Sequence, residues 1–182
     1  MQELRFAIIG YGKMGVIRYE TLKRIPNCRV AWICETDPHQ VLPKDVKGTR
    51  NIQDIFSDPQ VDAVVVCTPN HLLKELVIQG LASGKHVFCE KPPGRNLEEL
   101  QEMIQAESAH PALKLMFGFN HRHHESIRHA KRLIDSKAYG KILWMRGRYG
   151  KSVDENFFSN WRSKKELAGG GILLDQGIHM LD

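Results

Sequence analysis

Three glycines, Gly10, Gly12 and Gly15, and a glutamate, Glu35, are the residues whose types and spacing point most directly to chemistry. The stretch Phe6-Ala7-Ile8-Ile9-Gly10-Tyr11-Gly12-Lys13-Met14-Gly15 is an apolar run that breaks into G-x-G-x-x-G and resumes as a helical pattern. It reads as strand, tight turn and helix. In such a unit Gly10 makes the turn, Gly12 lets the backbone approach a pyrophosphate, and Gly15 lets the helix pack close to the strand. The phosphates would lie on the free amides of the helix beginning near Met14, where the dipole favours negative charge. Glu35 ends a second apolar run, Val30-Ala31-Trp32-Ile33-Cys34, about 20 residues beyond Gly15, where a carboxylate takes the hydroxyls of an adenosine ribose. The same glycines also mark plain tight turns, and a strand-end glutamate is also an ordinary solvated residue, so the surrounding elements have to decide.

Those elements alternate. A helix is expected over 14–25, a strand over 30–34, a turn at Thr36-Asp37-Pro38 and a polar loop over 43–50. Asn51 is a candidate cap for a short helix ending at Phe56, with Asp54 in its first turn. The run Ala63-Val64-Val65-Val66-Cys67 is continuously apolar and β-branched, the pattern of a strand covered on both faces, which predicts a parallel sheet. A helix over 72–83 closed by Gly84, a strand over 86–89, a helix capped by Asn96 and a strand over 113–119 complete a doubly wound α/β domain with right-handed crossovers. Ligands of such sheets lie beyond the carboxyl ends of the strands, and Gly10 to Gly15, Glu35, Thr68 to His71 and Glu90 to Pro93 all fall at that edge. After residue 119 the character changes: an amphipathic helix over 125–136 with Ile127, Ala130 and Ile134 on one face, a strand over 142–149, a polar loop over 151–165, and an apolar helix from Ile172.

Composition excludes several function classes. The net charge is +5, but the 26 basic residues are scattered among 21 acidic ones, which argues against a nucleic-acid surface and for an anionic small ligand. No apolar run reaches spanning length, and the first residues enter a strand without a signal or transit pattern, so the expectation is a cytoplasmic protein with no membrane partner. Cys28, Cys34, Cys67 and Cys89 lack metal-ligand spacing and read as reduced structural thiols. The cluster His121-Arg122-His123-His124 matches no standard zinc pattern, and no metal is expected.

Three blocks then stand in order: Gly10-Tyr11-Gly12-Lys13-Met14-Gly15, Glu90-Lys91-Pro92, and Gly169-Gly170-Gly171-Ile172-Leu173-Leu174-Asp175-Gln176-Gly177-Ile178-His179, with Cys67-Thr68-Pro69-Asn70 between the first two. The combination resembles the Gfo/Idh/MocA family, the glucose–fructose oxidoreductase and inositol dehydrogenase group of nicotinamide-dependent enzymes. The resemblance implies a Rossmann domain over 1–119, followed from 120 by the start of an α+β domain with an open, mostly antiparallel sheet. It also implies oxidation or reduction of a hydroxyl on a sugar, cyclitol or nucleotide sugar, a small polyhydroxylated substrate, and a homodimer or tetramer formed through that sheet in the full-length protein. That second domain needs more chain than residues 120–182 supply, so the sequence is expected to be part of a longer enzyme.

By the same matching, Lys91, Asp175 and His179 are the family's catalytic triad. Four residues on an α-helix turn by about 40° more than a full turn, so Asp175 and His179 would share a face. Loss of hydride from a carbinol carbon needs a base for the hydroxyl proton, which suits His179. Lys91 would stabilise charge on the same oxygen, and Asp175 would orient the hydroxyl. Alone, His179 also reads as a core histidine and Lys91 as a surface lysine.

Cofactor contacts are expected from Gly10, Tyr11, Gly12, Lys13, Met14, Gly15, Glu35 and Thr36 on the adenosine and phosphate side. On the nicotinamide side the matching implies Thr68, Pro69, Asn70, Glu90 and Pro92; His71, Lys91 and Arg162 are further cofactor candidates, and Asn120 and His121, where the second domain begins, are candidates for contact with nicotinamide or substrate. Arg162 is also a candidate for contact with a substrate anion or hydroxyl, and equally for a structural ion pair. Glu35 would repel a 2′-phosphate and Thr36 offers no guanidinium, which favours NAD, while Lys44, Lys47 and Arg50 keep NADP open. The competing class is a non-catalytic dinucleotide-binding or regulatory module, which would use the glycines and Glu35 but not the triad.

Overall fold

A computed structural model of the chain describes residues 3–150, 152 and 155–182. Six parallel strands form one sheet: β1 (Leu4–Ile9), β2 (Cys28–Cys34), β3 (Lys47–Thr49), β4 (Ala63–Val66), β5 (His86–Cys89) and β6 (Leu115–Phe117). Their order is β3-β2-β1-β4-β5-β6. This is the Rossmann order, in which the direction of winding reverses between β1 and β4 and opens a crevice there. The central strands are apolar throughout because helices cover both faces: all four residues of β4 are buried.

The helices α1 (Lys13–Leu22), α2 (Gln53–Phe56), α3 (Asn70–Ala82) and α4 (Leu97–Ala109) make the crossovers. One core, on the side of α2, α3 and α4, gathers Ala7, Ile9, Ile55, Val64, Val66, Leu73, Val77, Leu81 and Met103. The other, under α1, gathers Ile8, Tyr19, Val30, Ile33 and Val65. The Asn96 cap is formed, its side chain accepting the Glu99 amide at 2.9 Å. Asn51 accepts the Gln53 amide at 3.2 Å just ahead of α2. Gly84 ends α3 at φ +75°, a conformation that glycine adopts without strain.

Two parts of the sequence reading need correction. The polar loop expected over 43–50 contains β3, an edge strand whose three residues pair with Trp32, Ile33 and Cys34. Three residues carry no readable alternation, so only the pairing reveals it. Conversely, the strand expected over 142–149 is not formed, and among the described residues the sheet is wholly parallel, so the open, mostly antiparallel sheet is absent here. An extended segment becomes a strand only when a neighbour satisfies its amides and carbonyls. Leu143, Trp144 and Met145 are instead 88, 75 and 81% exposed.

After β6 a 3₁₀ turn (Asn120–His123) leads into α5 (Glu125–Asp135), which is exposed on all sides. Short 3₁₀ turns (Glu155–Ser159, Trp161–Ser163) and α6 (Lys165–Ala168) bring the chain back to the Rossmann unit. Asn70 at the start of α3 donates to the Ala168 carbonyl at 2.8 Å, and Arg95 donates to the Glu166 carbonyl at 2.7 Å. Of the polar loop over 151–165, Lys151, Val153 and Asp154 lie outside the described residues. The helix expected from Ile172 begins as a π-wound turn (Leu173–Gly177) and continues as α7 (Ile178–Leu181).

Candidate active site

The carboxyl ends of β1, β2, β4 and β5 and the segment 161–179 enclose a cleft of about 800 Å³, within the range of small-molecule and cofactor sites. A second hollow of about 400 Å³ lies near the amino end of β1 and beside β2 and β3; Lys44 and Lys47, two of the basic residues that kept NADP open, line it rather than the cleft.

The turn after β1 is set by two glycines. Gly10 sits at φ +88°, and a Cβ there would come within 3.0 Å of the Cys67 carbonyl. At Gly15 a Cβ would overlap the Gly10 carbonyl oxygen, so only glycine lets α1 begin so close to β1. Glu35 links this turn to β2: its carboxylate accepts the Tyr11 amide at 2.6 Å and the amides of Thr36 and Asp37 at 2.7 and 2.9 Å. Glu35 still lines the cleft, so it shapes the glycine turn as well as facing the space beside it.

At the other end, Lys91 follows β5 at a cis Lys91–Pro92 bond. Its ammonium donates to the Asp175 carbonyl at 2.6 Å and to Asp175 Oδ1 at 2.8 Å. Gln176, buried, donates to the other oxygen, Oδ2, at 2.7 Å. Burial pushes the Asp175 carboxyl up, but the Lys91 and Gln176 hydrogen bonds and the charges of Lys91 and Arg162 outweigh it, and the group is held below the usual carboxylate range. His179 lines the same cleft. Burial is the main force that lowers its pKa below the ordinary imidazole value, assisted by the positive charges of Lys91 and His121 and opposed by Asp175 and Asp182. Its imidazole is therefore neutral at neutral pH.

Fifteen of the expected site residues line this one cleft: Gly10, Gly12, Lys13, Met14, Glu35, Thr36, Thr68, Pro69, Asn70, Glu90, Lys91, Asn120, Arg162, Asp175 and His179. Four do not. Tyr11 is buried against Tyr19, with ring centroids 6.0 Å apart, Gly15 and Pro92 are buried, and His71 is half-buried near the start of α3. Two of the lining residues are also engaged structurally: Asn70 with Ala168, and Glu90 with Arg18 Nε at 2.6 Å, which ties α1 to the end of β5. Arg162 lies 4.4 Å over the Trp161 ring. Arg50, the basic residue that kept NADP open, lines the cleft as well, and so do Tyr149 and Gln176, to which sequence reasoning assigned no role. Gln176 was legible only as the neighbour of Asp175, and Tyr149 was hidden in an expected strand. Among the described residues no group of three His, Cys, Asp or Glu is arranged to hold a metal ion.

The cleft suits a dinucleotide. A Cβ on Gly12 would project into open space, the approach a pyrophosphate needs. Thr68 Oγ1, His71 Nδ1 and His179 Nδ1 are buried without hydrogen-bond partners among the described residues. Buried polar atoms are nearly always paired, and two of these residues, Thr68 and His179, line the cleft. The glycine turn, the winding reversal and the acid after β2 together define a dinucleotide-binding Rossmann domain.

The comparisons with known proteins carry this further. Residues 4–119 match the profile of the oxidoreductase family with an NAD-binding Rossmann fold, and residues 127–182 match the GFO/IDH/MocA C-terminal domain. The chain belongs to the GFO/IDH/MocA family of oxidoreductases. It is 38% identical over 137 residues to levoglucosan dehydrogenase of Pseudarthrobacter phenanthrenivorans, covering 74% of this chain and 35% of that protein. Its fold superposes on a crystal structure of myo-inositol 2-dehydrogenase from Lactobacillus plantarum with a TM-score of 0.87 and 31% identity, over 98% of this chain and 54% of that one. A levoglucosan dehydrogenase structure in complex with NADH gives 0.82 and 29% identity, over 99% and 52%. The chain thus spans from about a third to about half of the proteins it matches.

Proposed function

We propose that this chain carries the cofactor site and the catalytic residues of an NAD-dependent oxidoreductase that moves a hydride between the nicotinamide and a hydroxyl-bearing carbon of a sugar, cyclitol or nucleotide sugar. The observation that carries the reading is the Lys91–Asp175 pair at 2.8 Å in the cleft that His179 and the glycine turn also line. The relatives named for levoglucosan and myo-inositol support the substrate class. We divide the chain into a cofactor domain over 1–119 and the opening of a substrate domain over 120–182.

NAD, when bound, accepts or returns the hydride. Residues Gly10 to Gly15 would hold its pyrophosphate, Glu35 and Thr36 its adenosine ribose, and Thr68 to Asn70 with Lys91 its nicotinamide end. Glu35 disfavours a 2′-phosphate by charge, which supports NAD over NADP.

Asp175 and Lys91 orient the substrate hydroxyl. An ammonium has three N–H groups, and Asp175 occupies two of those on Lys91, leaving the third for the substrate oxygen. That hydrogen bond stabilises negative charge as it develops on the oxygen. Neutral His179 takes the hydroxyl proton in oxidation and returns it in reduction. Arg162, which makes no ion pair among the described residues, is available to a hydroxyl or anionic group of the substrate.

No helix among the described residues is long and apolar enough to cross a membrane, and all four cysteines are free thiols, which supports placing the protein in the cytoplasm. The exposed side chains of Leu143, Trp144 and Met145 form an apolar patch that supports subunit association in the longer protein. The direct test is NAD reduction by the longer protein against a panel of cyclitols, sugars and nucleotide sugars. Turnover with at least one polyol and none with simple alcohols is expected. Tight NADH binding with no turnover on any polyol would favour the non-catalytic module instead.

A further inference from the structure

The histidine cluster after β6, which the proposed reaction leaves unused, packs directly on the proposed base. The His121 ring stacks on His179 with centroids 4.2 Å apart and planes 23° apart, and His124 stands behind it at 5.0 Å. Phe119 and Tyr149 meet His179 edge-on at 6.3 and 6.1 Å, so two neutral rings flank it while it still lines the cleft. Most of the permanent charges around His179 are paired off, whereas Arg162, in the same cleft, makes no ion pair among the described residues. Lys91 and Asp175 bind each other, and Arg122 bridges the Asp182 carboxylate through two nitrogens. His121, with His124 behind it, is the imidazole whose charge bears directly on His179.

We propose that His121 is a positioning residue for His179: two imidazoles stacked face to face cannot both hold a proton without strong repulsion, so the His121 ring keeps His179 in its neutral, proton-accepting form while fixing its plane in the cleft. The proposal rests on His179 being the base, and it adds a pH threshold to that role. Stacked rings present no N–H to each other, so no proton passes between them. The coupling is through charge and is shared by the pair. Burial and the Lys91 charge lower the His179 pKa as well, and the charge of His121 acts in the same direction.

The test is a titration of the chain, labelled at histidine Cε1, followed by NMR from about pH 5 to 8, the range in which imidazoles change charge. The His179 signal is assigned by its loss in His179→Gln. His121→Phe keeps a flat ring in the stack and removes the charge. The expected result is that the His179 midpoint rises by about one pH unit and its titration sharpens to a single step. An unchanged midpoint, with the Phe119 and Tyr149 ring signals in place, overturns the proposal. Should His121→Phe fail to fold, judged by amide dispersion, His121→Gln decides by the same two outcomes. Because the readout needs no turnover, it stands apart from the hydride-transfer reading. If His179→Ala leaves the longer enzyme active, the role of base fails while the measured coupling persists.

Discussion

The Gly15→Ala variant is expected to lose NADH binding together with about 2–4 kcal/mol of stability. The added Cβ would overlap the Gly10 carbonyl oxygen, and both partners are main chain, so no rotamer change relieves the clash. Either α1 tilts away from β1 or the turn after β1 shifts. Each response displaces the amides at the start of α1 and disturbs the packing of buried Tyr19 beneath it. The informative control is Gly12→Ala, whose Cβ meets nothing within 4 Å. That variant is expected to unfold at the wild-type denaturant midpoint yet to bind NADH weakly, because its methyl occupies the space a pyrophosphate needs. Equal effects of the two substitutions on folding would contradict the distinct roles given to the two glycines.

The second large effect concerns the proposed chemistry. In the longer protein, His179→Ala is expected to lower kcat by about 10²- to 10⁴-fold, the usual contribution of a positioned general base. The cofactor dissociation constant should be unchanged, since the glycine turn is untouched. Lys91→Ala is expected to fall into the same range through loss of the charge-stabilising donor, and it also leaves the Asp175 carboxylate without its ion-pair partner. The pH dependence follows from the direction of the His179 shift. Burial and neighbouring cations disfavour the imidazolium, so the neutral base persists to a lower pH than an ordinary imidazole allows. Oxidation should therefore rise with pH along a limb whose midpoint lies below the ordinary imidazole value of 6.5. Turnover of His179→Ala near that of wild type, or a limb centred above that value, would remove the residue from the role of base.

Much of this was legible in the sequence because physics leaves few alternatives at the positions concerned. The β-branched run from Ala63 to Val66 fits only a strand buried on both faces, and that strand lies at the centre of the parallel sheet. The spacing of Gly10, Gly12, Gly15 and Glu35 placed the turn and its acid at one sheet edge, where the cleft lies. What escaped were features set by partners distant in sequence. A three-residue strand such as β3 is created by its ladder with β2, and the segment 142–149, whose residues suit a strand, stays irregular with no ladder to join. Nothing in Asn70 or Glu90 announces that the first fastens α6 and the second fastens α1. The winding around Asp175 was read as a plain α-helix, whereas the wider π turn precedes α7, a local departure often found at functional sites. The His121 stack on His179 joins residues 58 positions apart and has no signature in either segment.

The central claim is that this chain folds into a dinucleotide site whose acid after β2 prefers NAD. Fluorescence titration of the chain with NADH and NADPH side by side tests it most directly, with circular dichroism confirming a folded protein. Saturable NADH binding, at least tenfold tighter than NADPH at about 1.4 kcal/mol per decade, with the preference reduced in Glu35→Ala, is the predicted result. A folded chain that binds neither nucleotide, or one that prefers NADPH, would contradict it.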